Sequence, residues 1–164
     1  MDFSKLSRSE WLGLAASALL IVAVLFLPWF ELGEGPSRSA GDTSGFLCGN
    51  GEFTCGSFGT FPILSWLLLA AAIAPWILAY IVVRGHKLSW PPGELTMVVG
   101  FTAFVLIGYN GIVDQPGTGN QEIALTKEIG YYVALLAALG IAAAGIGRAM
   151  ETAKDAPRKA PGTV

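Results

Sequence analysis

Polar and apolar positions in this chain do not alternate with the period of a soluble helix or strand. They come in blocks. Four uninterrupted apolar stretches stand out: Trp11 to Phe30, Pro62 to Val83, Leu95 to Val113 and Ile129 to Gly147. None contains Asp, Glu, Lys, Arg or His. A helix rises 1.5 Å per residue, so about 20 residues cross roughly 30 Å of hydrocarbon. In lipid every backbone N–H and C=O must be paired inside its own segment, so each stretch is expected to be a transmembrane helix. The run after Lys5 and Arg8 is too long for a signal-peptide core, and LPWFELGEG is a poor cleavage site, so the first span is expected to be retained.

The polar blocks define the loops: 31–61 and 114–128 on one side, 84–94 on the other, and a Pro-, Gly- and charge-rich tail over about 152–164. That tail is expected to be disordered beyond its first few residues. Lys5, Arg8, Arg84, Lys87, Arg148, Lys154, Arg158 and Lys159 fall on one side, against Arg38 and Lys127 on the other. The bias of basic residues places both termini in the cytoplasm and 31–61 and 114–128 outside. Glu31, Glu34, Asp42, Glu52, Asp114, Glu122 and Glu128 make the outer face acidic. Trp29, Phe30, Phe58, Phe61, Trp66, Tyr109, Tyr131 and Tyr132 are expected in the outer aromatic belt, and Trp11, Tyr80 and Trp90 in the inner one. The fold class predicted is an all-α membrane protein. It is a single domain forming an antiparallel four-helix transmembrane bundle, with short connections making consecutive helices neighbours.

Composition agrees. Hydrophobic residues make up 53% of the chain and charged residues 13%, half the share usual for soluble domains. A net charge of −2 offers nucleic acid no general attraction, and no nucleic-acid motif is present.

The two cysteines, Cys48 and Cys55, both lie in FLCGNGEFTCGSFG within the first outer loop. Outside the cytoplasm a disulfide persists. A turn at Gly51-Glu52 would set the thiols opposite one another, and one at Asn50-Gly51 would set them diagonally. Closing so short a loop would stabilise by roughly 2–3 kcal/mol. Redox catalysis is the alternative, but the spacing is not C-x-x-C and no second pair exists to pass electrons on. A structural staple is expected.

Few other side chains suggest chemistry. Pro75 removes a hydrogen bond deep in the second span and should kink it. Pro28 marks the outer end of the first span. Asn110, the most polar side chain within a span, is expected to bond another helix or interfacial water. Ser17, Ser65, Thr96 and Thr102 can bond their own helix. Gly130, Ala134, Ala138 and Ala142 put small residues along one face of the fourth span, fit for close packing within the bundle or, alternatively, for self-association. Asn120 reads as a helix cap that starts the fourth helix about two turns above the lipid. His86 stands alone, and no metal, cofactor or catalytic motif is found, so no enzymatic activity is expected.

LFLPWF at the end of the first span and LLAALGIAAAG in the fourth, in a tetraspan layout, resemble a group of small uncharacterised actinobacterial membrane proteins. The resemblance implies a bacterial plasma membrane and transfers no activity. Trp29, Gly45-Phe46-Leu47-Cys48 and Cys55 run in an order similar to the first loop of claudin-type tetraspans, without their second Trp and with a shorter loop and cysteine spacing. That likeness reads as convergent packaging. The expected role is that of a non-catalytic interaction or accessory protein in the bilayer, with a membrane-protein partner or a second copy of itself. An oligomeric pore or a carrier for a neutral or lipidic small molecule is the alternative, since intramembrane charges that serve ions and protons are missing.

Overall fold

The computed structural model describes residues 6–32, 54–56, 62–85, 90–113 and 125–155. The chain is predominantly helical: α1 (Arg8–Phe26), α2 (Pro62–Val83), α3 (Pro92–Ile112) and α4 (Ile129–Asp155). All four are long and apolar enough to cross a membrane. Three short strands join them, β1 (Pro28–Leu32), β2 (Thr54–Gly56) and β3 (Leu125–Lys127).

The ends of the helices follow local chemistry. Ser7 caps α1 and exchanges bonds with Glu10 in a capping box, which satisfies two otherwise unpaired donors. At the far end Pro28 has no N–H and disfavours helical backbone at Leu27, so α1 stops at Phe26 and Leu27 turns extended. Span one was expected to run to Phe30; its last residues are strand instead. Pro92 opens α3 at its first turn, where the missing N–H is harmless. α2 closes at Gly85, whose φ of +74° suits a residue without a Cβ.

α4 is the central helix. Half of its apolar window is buried, against 22% for α2 and for α3. It packs on α3 and on α1; α1 packs in turn on α2, and α2 more lightly on α3. Glycine sets the closeness. A Cβ at Gly100 would strike the backbone of Ala142, and one at Gly145 the backbone of Met97. Gly93 lies against Ala149 and Gly111 against Tyr131, so α3 and α4 run antiparallel. Gly13 against Ala144, and Gly130 against Pro28, give α1 and α4 the same relation. Helices in lipid have no hydrophobic drive to associate, and close contacts of this kind are what would hold them together there. Leu20, Leu68, Ile107 and Ile141 fill the space between the helices and are fully buried.

The strands form a sheet in the order β2-β1-β3, both pairs antiparallel. Phe30 lies opposite Cys55 on one side and Lys127 on the other. Two expectations are corrected here. Residues 125–127 are strand and α4 starts at Ile129, so the fourth helix does not rise two turns from a cap at Asn120. β1 draws Leu125–Lys127 into its ladder, and the N–H of Glu128 extends it by donating to Trp29 O at 2.9 Å. Trp29, Phe30 and Tyr131 are not belt residues: at 1%, 1% and 3% exposure they belong to the core. At the opposite end α4 continues to Asp155, so residues 152–155 are helix, and 156–164 lie outside the described residues.

Candidate functional site

The structure offers two places where polar or aromatic groups converge, one at each end of the helices. At the sheet end the register between β1 and β2 slips between Pro28 and Phe30. The bulge leaves Trp29 without a partner in β2 and turns its side chain out of the ladder. Its indole N–H donates to Ala23 O at 2.8 Å, satisfying a carbonyl of the last turn of α1. Tyr131 stands edge-on to Trp29 at 6.2 Å and to Tyr132 at 5.5 Å, with Phe30 tilted at 6.0 Å. Lys127 Nζ lies 5.8 Å from the centre of the Tyr131 ring. These groups weld the sheet to α1 and α4.

The opposite, polar end carries the ionic chemistry. Glu10 Oε2 accepts from the Ser7 backbone N–H at 2.8 Å and pairs with Arg148 Nη1 at 3.1 Å. Ser9 Oγ donates to Glu151 Oε1 at 2.7 Å, a bond that joins residues 142 apart in sequence. Arg148 Nε and Glu151 Oε2 are fully buried and lack a hydrogen-bond partner among the described residues. Glu10 thus pairs with the Arg148 guanidinium, and Glu151 lies in the field of both Arg148 and Lys154.

A cavity of about 20 Å³, room for about one water, lies beside it. All four helices line it: Glu10 from α1, Pro75 and Ala79 from α2, Thr96 from α3, and Arg148 from α4. The Thr96 hydroxyl donates to Pro92 O at 2.9 Å, and Ser9 with the Glu10–Arg148 ion pair makes the rest of the polar face of the cavity. Chemically the arrangement can bind a small polar group and hold two helix ends together. Ser9 faces a carboxylate and no imidazole, and no group of three His, Cys, Asp or Glu that could hold a metal occurs among the described residues.

The residues singled out from sequence are scattered relative to these two places. Pro75 is buried inside a continuous α2 and lines the cavity. Gly130, Ala134, Ala138 and Ala142 are all buried, Gly130 against the Pro28 carbonyl and the Trp29 ring and Ala142 against Gly100, so this face packs within the chain. Asn110 Nδ2 donates to Leu106 O at 2.8 Å, a bond within its own helix rather than to another one. Ser17 and Thr96 do likewise, to Leu14 O and Pro92 O. Cys55 has its backbone in β2, while Cys48, and with it the pairing of the two thiols, lies outside the described residues, as do Phe58, Phe61, His86 and Asn120. Sequence reading missed Ser7, Ser9, Glu10, Arg148 and Glu151. Only the capping-box spacing Ser7-x-x-Glu10 was a signal, and it pointed to a helix start.

Comparison of the chain with protein-family models, with curated proteins and with solved structures returns no match.

Proposed function

We propose that this chain is a multi-pass protein of a bacterial plasma membrane, folded as an antiparallel four-helix bundle. It acts without catalysis, as an interaction or accessory protein presenting an acidic extracytoplasmic face. In this reading both termini are cytoplasmic, the sheet end is outside, and the Cys48–Cys55 disulfide staples the loop that feeds β2. The bias of basic residues and the likeness to small actinobacterial tetraspans support that placement.

The observation that carries the reading is how the space between the helices is filled. Side chains of Leu20, Leu68, Ile107 and Ile141 occupy it, and glycine contacts bring α3 and α4 to backbone distance. A helix set packed in this way suits a rigid platform better than a conduit through one copy. The platform carries an ordered surface, a sheet fixed by Trp29 and Tyr131 to the helix ends.

Cross-linking in native membranes, followed by affinity purification, tests the role. A reproducible membrane-protein partner, lost when the 31–61 loop is altered, is the expected result. Recovery of self-cross-linked species alone would overturn the accessory role and favour an oligomeric pore or a carrier of neutral or lipidic molecules.

A further inference from the structure

Antiparallel pairing fixes which backbone groups of the sheet are used and which are left over. The N–H of Glu128 donates to Trp29 O, so these two residues form a hydrogen-bonded pair. With Phe30 opposite Lys127, the next such pair is Glu31 with Thr126. Thr126 therefore turns its N–H and C=O toward β1. Those of Leu125 and Lys127 point the other way, where no further strand lies among the described residues. In a membrane such an edge cannot face hydrocarbon, because lipid offers its N–H and C=O groups no partner. It stands in water or against protein, and it is a template for one more strand. β3 is also the firmer of the two edges. Glu128 ties its end to Trp29, and Lys127 Nζ lies 5.8 Å from the centre of the Tyr131 ring. The other edge, β2, carries Gly56, a weak strand former.

We infer that the outer edge of β3 receives an extended, basic segment of a partner protein as a fourth strand. Backbone geometry sets the mode. Leu125 and Lys127 each present one donor and one acceptor on the same side, the pattern that strand addition uses. Charge sets the partner. Segments 31–61 and 114–128 hold the end of β1 and all of β2 and β3. They carry seven acidic residues against two basic ones, Arg38 and Lys127. A second copy would bring the same surplus of negative charge to the edge and be repelled. A strand bearing Lys or Arg at alternate positions brings the opposite sign.

The inference rests on the interaction role and names its partner class. Its test uses the full chain in uncharged detergent micelles, where the side of the membrane that the sheet faces does not matter. The probes are capped octapeptides: alternating Lys-Val, alternating Glu-Val, and Lys-Val N-methylated at every residue, which keeps the charge and removes the donors. The plain Lys-Val peptide is expected to bind at least about tenfold tighter than the other two. It should slow amide exchange at Leu125 and Lys127 about tenfold or more, while Thr126, already bonded to β1, changes little. Leu125→Pro removes an outward N–H where an edge strand tolerates proline, and should weaken Lys-Val binding about tenfold with the β1 ladder still protected. The methylated peptide makes the same test on the unaltered chain if that variant fails to fold. Binding that leaves exchange at Leu125 and Lys127 unchanged would overturn the inference. So would equal binding of the methylated or the Glu-Val peptide, or protection of that edge in a dimer without peptide. The interaction role is tested by cross-linking in native membranes and survives any of these results, so the two fail separately.

Discussion

At the scale of single residues, Trp29 and the helix glycines carry more than their share. Trp29 closes α1 through its indole, fills the core at 1% exposure and sits in the bulge that lets β1 pair on both sides. Trp29→Phe keeps most of the ring and removes the donor, leaving Ala23 O short of a partner. It should destabilise by about 1–3 kcal/mol, read by unfolding in mixed micelles. Gly100 and Gly108 make a matched pair within α3. Gly100→Ala drives a methyl into the Ala142 backbone and should cost about 1–3 kcal/mol. At Gly108 nothing lies within 4 Å of the added methyl, and Gly108→Ala should be neutral or stabilising by up to about 1 kcal/mol. Equal effects at the two positions would contradict the packing of α3 on α4.

At the scale of elements, the helices were legible in the sequence and the strands were not. Lipid as solvent demands about 20 apolar residues in a row, a signal that survives without any alignment. Pro28 then marks an end within a residue or two, whereas α3 starts at Pro92, three residues before the expected Leu95. By contrast β2 and β3 are three residues each, shorter than any window in which alternation can be counted, and their partner β1 reads as the tail of an apolar span. The ion pair was hidden for another reason. Glu10 and Arg148 each lie one residue outside a predicted span, where a charge is unremarkable until folding brings the two helix ends together. A double-mutant cycle, Glu10→Gln with Arg148→Gln, should return a coupling of about 0.5–3 kcal/mol that shrinks little with added salt, given the partial burial. The sheet has its own readout in amide hydrogen exchange. Central β1 should be the best protected strand, with Phe30 and Glu31 exchanging more slowly than Thr54 or Thr126. Exchange as fast in β1 as in the edges would mean that the ladder does not persist.

At the scale of the whole molecule, the two ends differ in kind: a hydrogen-bonded sheet with an aromatic weld at one, a charged knot and a small cleft at the other. Single cysteines at Glu128 and at Lys154, in a background with Cys48 and Cys55 replaced, should be labelled by impermeant reagents from opposite sides of sealed vesicles. Glu128 is expected to react from the extracytoplasmic side. Labelling of both from one side would remove the tetraspan topology altogether.

The place of α4 in the chain has a further consequence. The helix that clasps both α1 and α3 is made after both of them, and β3, just before it, completes the sheet. Until it arrives, the glycine face of α3 has no surface to meet, Tyr131 is missing from beside Trp29, and Glu10 has no counter-charge. Assembly is therefore back-loaded: α1, α2 and α3 form an unfinished set until α4 arrives. A chain broken off before Ile129 would leave those surfaces uncovered and is expected to be degraded rather than to persist as a smaller working protein.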